Sequence, residues 1–119
     1  DSIHILGAMW VSGQTFHKPY HEFQVNVEDQ NHPIVEGIGS FRTNDELYYN
    51  LLTRPDSHVV LSANEELFGD DIAYPMLTTH TFYGARAVYM VLGHDAQSVA
   101  TPEYRQLLAQ SIEWAARRR

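Results

Sequence analysis

The residues of this chain able to do acid/base or ligand chemistry fall in four places. His17 and His21, with Glu22 adjacent, lie close enough in sequence to offer nitrogen and oxygen ligands to one centre, including a divalent metal. Their four-residue spacing would align two ligands on a helix, but Pro19 lies between them and favours a loop, in which both are ordinary surface histidines. Asp45 and Glu46 stand directly before Leu47-Tyr48-Tyr49, so two carboxylates meet two phenols at an element boundary. That combination suits general acid/base work or hydroxyl binding, and equally an exposed acidic turn. His80 sits in a polar-alternating segment and reads first as a satisfied structural histidine. His94, flanked by Gly93 and Asp95, directly follows the longest apolar run, residues 87–92. Ligands in open α/β sheets bind outside the carboxyl ends of strands, which makes His94 the histidine best placed for function.

Elements that could position these groups are legible as short segments. Residues 22–28 alternate strictly, with Phe23, Val25 and Val27 on one face, and predict a strand with one wet side. Residues 47–52 and 58–63 read as consecutive strands around the turn Arg54-Pro55-Asp56-Ser57, although 45–52 also allows one or two helical turns. The acidic stretch 64–71 is a loop, 75–82 a strand, and Tyr83-Gly84-Ala85 a tight turn. Residues 86–92 are apolar on both faces, which predicts the most buried strand. Thr101 as N-cap, Pro102 in the first turn and Glu103 predict a helix over 102–117, with Tyr104, Leu107, Leu108, Ile112, Trp114 and Ala115 on one face.

Composition narrows the function classes. The 119 residues suit a single domain, and eight Lys and Arg against 15 Asp and Glu leave a net charge of −7. Three of the eight bases are the closing Arg117, Arg118 and Arg119, so the body is more acidic still and repels a phosphate backbone. No nucleic-acid partner is expected. Full protonation of the seven histidines would carry the formal charge to about zero, so solubility should fall in mild acid. Cysteine is absent, which removes disulfides and thiolate chemistry from the chain's own repertoire. The apolar runs fall far short of the ~20 residues of a membrane span, and no signal-type leader is visible, so a soluble, cytoplasmic protein without a membrane partner is expected.

Taken in order, Tyr20-His21-Glu22-Phe23, Asn31-His32-Pro33-Ile34 through Gly37, Asn44-Asp45-Glu46-Leu47-Tyr48, Pro75-Met76, Arg86-Ala87-Val88-Tyr89, Leu92-Gly93-His94-Asp95 and the closing helix resemble the trehalose-utilisation, or ThuA-like, family. The resemblance covers residues 5–116 and corresponds to the carboxyl-terminal half of that family's pattern. It implies a class I glutamine amidotransferase-like α/β fold: a partial, flavodoxin-like mixed sheet of about five strands with a C-terminal helix, residues 1–119 forming a single domain that lacks its N-terminal half. In the amidotransferases a histidine follows a buried strand, and Leu92-Gly93-His94-Asp95 is similar to that motif. ThuA-like proteins generally lack the amidotransferase triad, so amide transfer is not implied. Where family members carry a Gly-Lys-Gly-Arg turn, this chain has Tyr83-Gly84-Ala85-Arg86.

The resemblance implies action on a small-molecule carbohydrate, a trehalose-type disaccharide or a derivative. On this expectation His94, Glu46 and Asp45 do the acid/base work, and Tyr48, His21 and His80 bind substrate. A divalent metal would be held among His21, Glu22, His80 and His94. The other expectation is a non-catalytic sugar-binding or assembly module. An apolar strand that one helix cannot cover also predicts an open face opposite that helix, and with it a homo-oligomer.

Overall fold

The computed structural model describes residues 2–119. In chain order it contains α1 (Ser2–Leu6), β1 (Ala8–Met9), β2 (Phe16–His17), β3 (His21–Val27), a 3₁₀ turn (Pro33–Val35), β4 (Phe41–Asp45), β5 (Tyr48–Tyr49), β6 (Leu52–Thr53), β7 (His58–Asn64), β8 (Ala73–Phe82), β9 (Ala85–Met90), α2 (Ala96–Ala100) and α3 (Pro102–Ala115). Five strands form the main sheet in the order β4-β3-β7-β8-β9. Two-residue ladders, β1 with β6 and β2 with β5, flank it.

Strand number and closing helix are as expected, and the class is α/β. Every pairing in the main sheet is antiparallel, however, so the mixed, flavodoxin-like arrangement is corrected. The cause is local. The β8–β9 connection is only Tyr83-Gly84, both at positive φ, and a two-residue link can join only antiparallel strands. Register shifts at Val59/Leu61 and Leu61/Ser62 in β7 increase the local twist and help the sheet curl.

The core lies between the sheet, the 3₁₀ turn and α3. Phe23 and Val25 of β3 are fully buried while Glu22 and Gln24 are exposed, as the alternation predicted. Val60, Leu61 and Ala63 of β7, Met76 and Leu77 of β8, Ile34, Val35 and Leu107 complete its centre. His32 caps the 3₁₀ turn by accepting from the Ile34 amide at 3.2 Å, and Gln110 of α3 donates to the Ile34 carbonyl. No helix among the described residues is long and apolar enough to cross a membrane.

Four further expectations are corrected. Residues 86–92 do not form the most buried strand: β9 is a sheet edge and its apolar residues are half-buried, whereas β7 and β8 occupy the buried centre. Nor does its open side lie opposite the closing helix. Ala87 pairs with His80, whose Nε2 lies 3.1 Å from the His4 carbonyl of α1, so α1 covers that face. The opening is on the helix side, a groove of about 420 Å³ lined by Val88, Met90 and Leu92 and by Tyr104, Leu108 and Ile112 of α3. The helix accordingly buries Leu107, Gln110, Ser111 and Trp114 and leaves Ile112 61% exposed, so its apolar residues form two stripes rather than one face. Thr101 precedes α3 without a side-chain capping bond.

Candidate acid/base site

Strand direction alternates across four antiparallel pairings, so the two sheet edges, β4 and β9, run the same way and end on the same side. Asp45 is the last residue of β4, and Gly93 and His94 follow β9. Asp45 is 1% exposed, and its carboxylate accepts three backbone N–H groups: Glu46 at 2.8 Å and His94 at 3.2 Å on Oδ1, and Gly93 at 2.7 Å on Oδ2. A second tie lies beside it, the Ser98 hydroxyl donating to the Asn44 carbonyl at 2.6 Å. Asp95 caps α2 by accepting from the Ser98 amide at 2.9 Å, and that bond holds its carboxyl below the usual range. The curl thus places the residues after both edge strands in one cluster.

Glu46 is the centre of the cluster. Its Oε2 lies 3.2 Å from the Tyr48 hydroxyl and 3.2 Å from His94 Nδ1, and its Oε1 lies 3.6 Å from His17 Nδ1. The Glu46 side chain is 15% exposed, against 43% for His94 and 45% for His17, so the carboxylate forms the floor and the imidazoles the rim. Aromatic rings wall the site. Trp10 packs edge-on against Tyr48 with ring centres 5.5 Å apart, and Tyr20 lies 6.0 Å from His94 with its hydroxyl donating to Asp95 at 3.2 Å. Burial, and then the charges of Glu46 and Asp45, push the Tyr48 phenol above its ordinary value. Tyr48 therefore remains a hydrogen-bond donor throughout the neutral range.

This arrangement supports proton transfer. The Glu46 carboxylate, 3.2 Å from Nδ1 of His94, favours a proton on that nitrogen over a lone pair, which leaves Nε2 as the acceptor, and the same carboxylate stabilises the imidazolium once formed.

Not every sequence-predicted residue joins the cluster. Asp45, Glu46, Tyr48 and His94 are together. His21 opens β3 opposite Asp45 in register, but its ring turns to Glu65, with Nε2 3.8 Å from the carboxylate and Nδ1 2.6 Å from the Pro19 carbonyl. His80 is near the far end of β8, under α1. Glu22 is spent on Arg42 at 3.2 Å. The divalent-metal set His21, Glu22, His80 and His94 is therefore dispersed, and no group of three or more His, Asp or Glu among the described residues is placed to hold a metal. Three residues of the cluster, Trp10, His17 and Tyr20, were not expected there. His17 pairs with Tyr48 in a two-residue ladder, too short to leave a periodic signal in sequence.

Residues 3–115 match the family model described as ThuA, trehalose utilisation. Among solved structures, a ThuA-like protein from Parabacteroides merdae superposes with a TM-score of 0.78 at 24% identity, covering 93% of this chain and 47% of that one. A ThuA-like protein from Bacteroides uniformis gives 0.71 at 17% identity, with 95% and 49% covered. A cytoplasmic protein from Salmonella typhimurium gives 0.66 at 19%, with 92% and 43% covered. At these identities the likeness establishes the fold, and the chain spans about half the length of each. Among curated proteins none matches.

Proposed function

Because the chain belongs to the ThuA, trehalose-utilisation family, we propose that it takes part in carbohydrate metabolism by acid/base chemistry on an uncharged trehalose-type disaccharide or an oxidised derivative of one. The observation that carries the reading is the Glu46 carboxylate, 3.2 Å from both His94 Nδ1 and the Tyr48 hydroxyl on a half-open floor between aromatic rings. Sugars present hydroxyls at their edges and C–H faces to aromatic rings, and the site offers a phenol donor, a carboxylate acceptor and the rings of Trp10, Tyr20 and Tyr48. His94 Nε2 would take a proton from a sugar hydroxyl or from the carbon beside a sugar carbonyl, with Glu46 stabilising the imidazolium. Tyr48 would turn its single hydroxyl proton from Glu46 to an oxygen of the bound sugar.

The same reading extends to the class I glutamine amidotransferase-like superfamily, in which Gly93-His94 stands where a strand-following histidine works, and it takes residues 1–119 as one part of that larger domain. The activity is thus that of the whole protein to which these residues belong. It is tested by sugar turnover in a protein carrying both Glu46→Gln and His94→Ala. Loss of the general acid/base is expected to lower kcat by about 10² or more. Unchanged turnover would remove the catalytic reading, and saturable disaccharide binding with no turnover in the unaltered protein would leave a sugar-binding module.

A further inference from the structure

We propose that Asp45 is a positioning residue: its buried carboxylate clamps the two ends of the curled sheet and thereby sets the Glu46–His94 contact. The inference rests on the acid/base reading of that pair. Both Asp45 oxygens are spoken for by the backbone. Oδ1 takes the amides of Glu46 and His94, and Oδ2 takes that of Gly93. Two of the three donors belong to the residues whose side chains meet at 3.2 Å, and the third immediately precedes His94. With 1% of the residue exposed and three donors satisfied, the carboxylate has no free face for a substrate, so it acts through its neighbours.

The geometry calls for a carboxylate in particular. Its oxygens are acceptors only, so N–H groups converge on both edges without conflict. An asparagine would keep the size and lose the pattern, because its amide nitrogen would put a donor against the Gly93 or Glu46/His94 N–H groups. Neither Gly93 nor His94 lies in a strand or helix, so no backbone ladder replaces the lost bonds. Freed at this point, the segment after β9 would carry His94 away from Glu46, and its ring would lose the carboxylate that favours the Nδ1–H form. The tie from Ser98 to the Asn44 carbonyl holds α2 rather than the His94 backbone, so it would not restore the contact.

The test is the ring nitrogen spectrum of His94 in the neutral form, by 15N NMR, together with steady-state kinetics on trehalose. The unaltered protein is expected to show the Nδ1–H tautomer, and Asp45→Asn the tautomer mixture of a free imidazole, with kcat lowered about tenfold or more and KM changed less than about threefold. His32, on the other side of the fold, should keep its spectrum and report that the variant is folded. An Asp45→Asn protein that is folded and retains the His94 tautomer and kcat would overturn the proposal. If that variant does not fold, amide exchange in the unaltered protein decides. Core-like protection of the Gly93 and His94 amides supports the clamp, and exchange at loop rates overturns it. Failure of the acid/base reading looks different: Glu46→Gln would leave turnover intact whatever Asp45 does.

Discussion

Glu46, with its side chain 15% exposed, lies beneath the more exposed rings of His94 and His17, and on the other side of the fold His32 is held by a hydrogen bond of its own. At the candidate site, Asp45, Glu46, Tyr48 and His94 were legible because residue types and element boundaries coincided; His17 stood out as a possible ligand, but its place in this cluster, like those of Trp10 and Tyr20, was not legible because these residues reach it through loops and a two-residue ladder. His32 shows the same division. It stood out as part of a motif, but its physical role appears only in three dimensions, where Nδ1 accepts from the Ile34 amide and the ring packs 5.2 Å from Trp114 and 6.0 Å from His58. Burial lowers its pKa below the ordinary 6.5, and the His58 and Arg86 charges add to the effect while Asp29 opposes it. A folded-state value below the unfolded one means that the unfolded chain binds the proton more readily. The stabilisation is therefore complete above about pH 6.5 and is lost as the pH falls through and below that value. His32→Asn retains a capping acceptor without titrating, so its melting temperature is expected to fall less between about pH 7.5 and 5.5 than that of the unaltered protein. Equal falls in a thermal scan would show that His32 does not carry this dependence.

Elements were readable in proportion to their length and to how much of their burial is local. β3 announced itself by strict alternation, the β8–β9 hairpin by its glycine turn, and α3 by proline and periodicity. The five-residue helices α1 and α2 gave no such signal, since helices that short depend on tertiary contacts and, for α2, on the Asp95 cap. β9 misled because a two-sided apolar pattern ordinarily marks a central strand; here α1 covers one face and α3 partly covers the other, while the strand remains an edge. The turn out of β9 has a requirement of its own. Gly93 adopts φ +102°, and a Cβ there would stand 2.7 Å from the Tyr104 hydroxyl and 2.8 Å from its ring. Gly93→Ala is thus strained in backbone and crowded in space. It is expected to cost about 2 kcal/mol, a drop of roughly 8 °C in Tm for a domain of this size. A calorimetric scan showing no loss would mean that the segment can move away from α3 freely.

At the scale of the whole molecule, the sheet's curl matters more than its strand count. Five antiparallel strands return the two edges to a common direction, and the curl brings their ends together, so that residues 45–46 and 93–94, nearly fifty positions apart, become neighbours. No sequence pattern reports such closure, which is why the candidate residues could be picked out but not their convergence. The acidic character of the molecule agrees with the local one, since Asp45, Glu46 and Asp95 surround the cluster and suit an uncharged ligand better than a phosphorylated one. The proposed function requires that this cluster bind a disaccharide through Glu46 and Tyr48. The decisive measurement is titration calorimetry with trehalose. Saturable binding to the unaltered protein is expected, weakened about tenfold or more in Glu46→Gln with the fold intact. Identical Kd values in the two proteins, or no saturable binding to the unaltered one, would contradict it.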